Sequence, residues 1–74
     1  MKIQSLFSTR LKLLRKQKQL TQKELAEQIC IKQNSYSDWE TGKNEPSLEN
    51  IVKLAKILDT TIDFLLGVDR EVRG

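Results

Sequence analysis

Lys32, Gln33, Asn34, Ser37, Asp38 and Thr41 concentrate hydrogen-bonding chemistry in ten residues of this chain. At a helical repeat they share one face. Gln33 and Asn34 each offer a paired donor and acceptor, Ser37 a hydroxyl that does either, Lys32 donors only and Asp38 acceptors only. Such a face can match a pattern of donors and acceptors on another surface. It is poorly equipped to make or break bonds, because the chain has no histidine and a single cysteine, Cys30. No nucleophile stands at recognisable spacing from a base and there is no glycine-rich phosphate loop, so an enzyme is the weakest reading and is set aside. Without histidine or a Cys-x-x-Cys pair no metal site or cofactor is expected.

Two short helices must position that face. Thr21-x-x-Glu24 is a capping box, which starts a helix at Gln22. Leu25, Ala26 and Ile29 then fall on one side, leaving Gln22, Lys23, Glu27 and Gln28 outside. Only Cys30 to Lys32 are available as a turn before a second apolar set, Ile31, Tyr36 and Trp39, which ends at Glu40-Thr41-Gly42, where Gly suits a left-handed cap. Two helices joined this closely cross steeply, and the second turns its polar face outward. The spacing of Tyr36 and Trp39 with Ile31 assigns them to the core rather than to stacking on a ligand.

Three further helices complete an all-α fold. From about Leu6 to Lys18, Phe7, Leu11 and Leu14 recur at i, i+4, i+7, a stripe that also accepts Leu20; Leu13 lies off it. Residues 1–5 are expected to fray or to begin this helix loosely. Pro46 makes Glu45 extended and leaves Ser47 to cap a fourth helix, whose broad apolar face of Leu48, Ile51, Val52, Leu54, Ala55 and Leu58 predicts the central packing element. Asp59-Thr60-Thr61 interrupts the pattern, and Thr61 caps a short fifth helix with Ile62, Phe64, Leu65 and Leu66, stopped by Gly67. The expected domain is 1–67, with 68–74 a polar tail.

The pattern Leu14-Arg15, Leu20-Thr21-Gln22-x-Glu24-Leu25-Ala26, Ser35-Tyr36-Ser37-x-Trp39-Glu40-x-Gly42-Lys43-x-x-Pro46, Leu54-Ala55, Leu58 and Leu65-Leu66-Gly67 resembles the Cro and phage-repressor type of helix-turn-helix domain, the XRE-like family. The resemblance covers roughly residues 6–67 and implies a five-helix, lambda-repressor-like fold that binds double-stranded DNA. In that setting Lys32, Gln33, Asn34, Ser37 and Asp38 become candidates for reading base edges: amides suit adenine N6 and N7, Asp accepts from cytosine N4, and Lys reaches guanine or a phosphate. Thr21, Gln22 and Lys23, and on the other side Thr41, Lys43 and Asn44, become candidates for the phosphates. The resemblance also implies that Arg15 pairs with Glu40, joining the first helix to the end of the third. Two positions depart from the family: Cys30 stands where Gly is usual, implying positive φ and some strain, and Lys32 stands where Ser or Thr caps the third helix. Cys30 is expected to be a buried or half-buried filler rather than a reactive thiol.

Seventy-four residues with a formal charge of +3 allow one small domain. The charge is uneven. Residues 1–23 carry Lys2, Arg10, Lys12, Arg15, Lys16, Lys18 and Lys23 and no acid, a charge of +7, against −4 for the remainder. A cationic field of that kind steers phosphates. No apolar run spans a membrane and Met1-Lys2 is not followed by a signal-peptide core, so the expected location is cytoplasmic. No small-molecule ligand is evident.

The expected function is a dimeric, operator-reading transcriptional regulator, a repressor that covers a promoter. Ile62, Leu65, Leu66, Val68 and Val72 are the candidate dimer surface. An antitoxin or the controller of a restriction–modification system would have the same fold. A protein-interaction module that has lost DNA binding is the reading from another class, supported by Cys30, Lys32 and the acid at Asp38.

Overall fold

The computed structural model describes residues 3–68, which form five helices: α1 (Ile3–Gln17), α2 (Gln22–Gln28), α3 (Gln33–Thr41), α4 (Leu48–Ile57) and α5 (Ile62–Leu66). Lys2, Val72 and the rest of the 69–74 tail lie outside the described residues. Helix α1 begins earlier than its apolar stripe suggested. A stripe marks where a helix packs, and Ile3-Gln4-Ser5 contains no residue that would stop the helix from extending beyond it.

The helix starts follow the capping chemistry of the sequence. Thr21 Oγ1 accepts from the Glu24 backbone N–H at 3.0 Å and the Glu24 carboxylate accepts from the Thr21 N–H at 2.8 Å, closing the box. Ser47 and Thr61 accept from the N–H groups of Asn50 and Phe64. Lys32 stands at the N-cap of α3 and its side chain caps nothing, yet α3 is formed from Gln33 onward. The buried Tyr36 and Trp39 hold the helix from its other face.

All five helices end in a left-handed residue, and only two of these are glycines, Gly42 (φ +83°) and Gly67 (φ +80°). Gln19 (φ +59°), Cys30 (φ +61°) and Asp59 (φ +57°) take the same conformation with a Cβ in place. Each is followed by an N–H reaching five residues back: Leu20 to the Arg15 carbonyl at 3.2 Å, Ile31 to Ala26 at 3.0 Å and Thr60 to Ala55 at 2.9 Å. This is the Schellman closure, which satisfies carbonyls that a helix end leaves open. Asp tolerates left-handed backbone through its short polar side chain; Cys gains no such help and carries about 1–2 kcal/mol of strain. Cys30→Gly is therefore expected to raise stability by about 0.5–1 kcal/mol, after the extra freedom glycine gives the unfolded chain. Urea unfolding checks this, and an unchanged or lower midpoint would show that Cys30 is relaxed.

One core gathers all five elements: Phe7 and Leu11 from α1, Leu25 and Ala26 from α2 with Ile29 after it, Tyr36 and Trp39 from α3, Leu54 and Ala55 from α4 with Leu58 after it, and Leu65 from α5. Tyr36 and Trp39 meet edge to face, with ring centroids 5.7 Å apart. Helix α4 is not the centre that its sequence suggested. Leu48, counted in its apolar face, is 68% exposed, and α4 packs mainly on α5, whereas α1 lies against both α3 and α5. A link with no sequence signal joins α1 to α3, where the buried Ser8 hydroxyl donates to the Trp39 carbonyl at 2.7 Å.

Candidate nucleic-acid interface

Helix α3 is divided cleanly between two environments. Tyr36 and Trp39 are buried and Ile31 packs on the same core, while Lys32, Gln33, Asn34, Ser35 and Thr41 are exposed and Ser37 and Asp38 half-exposed. The apolar side fixes the rotation of the helix, so the polar side faces solvent. Residues 29–32 make the connection from α2, closed by the Ile31 to Ala26 bond across Cys30.

Glu40, on the last full turn of α3, ties three helices together. Its Oε2 accepts from Arg15 Nε at 2.6 Å and from the Tyr36 hydroxyl. Its Oε1 accepts from Arg15 Nη2 at 3.2 Å and from Gln22 Nε2 at 3.0 Å. Arg15 also donates from Nη1 to the Leu20 carbonyl at 2.7 Å, holding the α1–α2 connection. The side chains of Arg15 and Glu40 are 10% and 3% exposed, so this is a buried, fully hydrogen-bonded ion pair rather than a surface one. The environment shifts each group. Burial pushes the Glu40 carboxyl up, but the hydrogen bonds from Arg15, Tyr36 and Gln22 and the Arg15 charge outweigh it and hold the group below the usual carboxylate range. Arg15 is raised, chiefly by its hydrogen bond to Glu40. Burial, then the Glu40 bond, pushes the Tyr36 hydroxyl far above its ordinary value, so it remains a donor. The contributions of Gln22 and Tyr36 to this network were not visible in the sequence.

The flanking polar residues are exposed where α2 begins and α3 ends. Lys23, Thr41, Lys43 and Asn44 face solvent, and Gln22 is half-buried through its bond to Glu40, which sets the start of α2 against the last turn of α3. The Thr21 hydroxyl is occupied as a cap. Asp38 organises the α3–α4 loop: its carbonyl accepts from the N–H of Lys43 at 2.9 Å and of Asn44 at 3.3 Å, and its carboxylate accepts from Asn44 Nδ2 at 3.1 Å. That bond occupies both Asp38, a candidate base reader, and Asn44, a candidate phosphate ligand. Its reach across six residues on the outside of a turn leaves no trace in a hydrophobic pattern.

Three expectations change. Cys30 is exposed, not a buried filler, because its left-handed backbone turns the side chain away from the Leu25, Ala26 and Ile29 face. Arg10 does not belong to a free cationic field: its guanidinium lies 4.1 Å from the centroid of the Phe64 ring and donates to the Phe64 carbonyl, docking α5 on α1. Arg15, which the resemblance pairs with Glu40, is bonded to it. Leu65 is fully buried within its own domain and cannot serve a dimer contact; Ile62, Leu66 and Val68 keep part of their surface exposed. Among the described residues no cluster of side chains could hold a metal ion, and no helix is long and apolar enough to cross a membrane.

Comparison with known proteins places this geometry. A helix-turn-helix family model matches residues 11–65. An uncharacterised HTH-type transcriptional regulator of Bacillus subtilis, YqaE, is 39% identical over 61 residues, covering 82% of this chain and 53% of that protein. The HTH-type transcriptional activator BcrR of Enterococcus faecalis is 42% identical over 61 residues, 82% of this chain and 30% of that one. The cryptic phage CTXphi transcriptional repressor RstR of Vibrio cholerae is 43% identical over 47 residues, 64% of this chain and 42% of the repressor. The chain thus spans about half the length, or less, of these curated relatives. The crystal structure of a hypothetical transcription factor from Neisseria, NHTF, superposes with a TM-score of 0.81 at 28% identity, covering 86% of this chain and 72% of that one.

Proposed function

We propose that this chain, which belongs to the helix-turn-helix family of the Cro and phage-repressor type, is the DNA-reading part of a transcriptional regulator that binds a palindromic operator as a dimer. The observation that carries the reading is α3 itself. Its apolar face is locked in the core and its polar face, Lys32, Gln33, Asn34 and Ser37, is turned outward at the end of the helix that this motif inserts in the major groove. Gln33 and Asn34 read bases; Gln22, Lys23, Thr41 and Lys43 hold phosphates and set the register. Asp38 raises the objection of an acid facing phosphates, but its bond to Asn44 answers part of it, since the carboxylate is drawn toward the loop. The domain, residues 1–67, is one module, and a single module of this size covers too little DNA to be selective; two-fold pairing through Ile62, Leu66 and Val68 doubles the contact. Occupancy of a promoter by such a dimer represses without further chemistry, which makes repression the expected sign of regulation.

Titration of a mixed-sequence duplex across salt concentrations tests the phosphate assignments. Binding should fall linearly on a log–log scale, and Lys43→Ala should weaken all sequences alike and reduce the slope by about 1. Binding that ignores salt would contradict the reading.

A further inference from the structure

We propose that Glu40 is a positioning residue for DNA, holding the Gln22 carboxamide in the orientation that a phosphate requires; this rests on the DNA-binding reading above. The network supports a role beyond the ion pair. Arg15 alone would satisfy one lone pair on each carboxylate oxygen, yet Glu40 Oε1 also accepts a hydrogen bond from Gln22 Nε2 at 3.0 Å, and Oε2 accepts one from the Tyr36 hydroxyl. With its side chain 3% exposed and fixed from α1 and α3, the carboxylate is a rigid post. Gln22 is half-buried beside it. An amide nitrogen carries two protons in one plane, so committing the first to Glu40 sets the direction of the second away from the buried network. A glutamine free on the surface would have to be immobilised when a phosphate arrived, a loss equivalent to roughly 2- to 10-fold in affinity for one flexible side chain. Gln22 has already undergone that ordering in the free protein. Among the described residues, the ionisable groups bonded to Glu40 are Arg15 from α1 and Tyr36 from its own helix, and both act as donors that hold it charged.

Two measurements test this. In the free protein, nitrogen relaxation of the side-chain amides should give Gln22 an order parameter near that of rigid backbone, about 0.85, while the exposed Gln28 and Gln33 fall below about 0.6; equal mobility for all three would overturn the proposal without any reference to DNA. Binding of the mixed-sequence duplex is then compared among wild type, Gln22→Ala, Glu40→Gln and the double variant, at a temperature where circular dichroism shows each folded. Both single variants should lose roughly 2- to 10-fold, and the double no more than the weaker single. Additive losses, or wild-type binding by folded Glu40→Gln, would overturn the positioning role while leaving DNA binding intact. Absence of duplex binding by the wild type would instead remove the DNA-binding reading itself.

Discussion

Glu40→Ala is expected to cost about 3–5 kcal/mol of stability, the range for breaking one side of a buried ion pair. Three donors lose their acceptor at once: the Arg15 guanidinium, the Tyr36 hydroxyl and the Gln22 amide. Arg15 is the severe case, because the residue is 9% exposed and its charge would remain desolvated with only the Leu20 carbonyl as partner. A domain of this size rarely has more than about 5 kcal/mol of net stability, so thermal unfolding followed by circular dichroism should show the midpoint lowered by roughly 12–40 °C or no cooperative transition at all. Pairing the change with Arg15→Met removes the stranded cation and should recover part of the loss. Additive losses would show that the two residues do not interact. The same site predicts acid sensitivity. Since hydrogen bonds from Arg15, Tyr36 and Gln22 outweigh burial and hold the Glu40 carboxyl below the usual carboxylate range, its contribution is complete above the unfolded pKa and disappears as the pH falls through the lower folded value. Urea midpoints measured downward from neutral pH should therefore decline below about pH 4.5, and less steeply in the Arg15→Met, Glu40→Ala double variant.

Gln33→Ala and Asn34→Ala are each expected to weaken binding to the preferred sequence by about 1–3 kcal/mol and to relax the base preference at the position each one reads. Both side chains are exposed, on a helix whose rotation is fixed by Tyr36 and Trp39, so truncation should leave stability nearly unchanged. A base contact is specific, so the loss should vanish on scrambled DNA, in contrast with the uniform loss expected of Lys43→Ala. Equal losses on specific and scrambled duplexes would remove Gln33 and Asn34 from base reading.

The parts of this fold that the sequence displays are those with short-range signatures. The Thr21–Glu24 box, the caps at Ser47 and Thr61 and the glycine stops at Gly42 and Gly67 act within a few residues, and each appears where its pattern stands. The core stripe of Phe7 and Leu11 and the burial of Tyr36 and Trp39 follow from periodicity. Contacts between distant residues with mixed chemistry are hidden. Nothing in the order of residues announces that Arg10 rests on Phe64, that Ser8 reaches the Trp39 carbonyl, or that Gln22 bonds Glu40. Hierarchy among helices is equally obscure, because Leu48 broadens the apolar face of α4 in sequence and then stands in solvent. At the interface, residue types and the exposed face of α3 were legible, whereas the Asp38–Asn44 bond that redirects two candidates was not.

Whether α3 reads a DNA sequence is decided by selection from random duplexes at physiological salt. Enrichment of a palindrome with half-sites about one helical turn apart is expected, bound roughly 10³-fold or more above scrambled DNA. No enriched sequence, with only weak salt-sensitive association, would contradict it and leave a helical module that meets nucleic acid by charge alone.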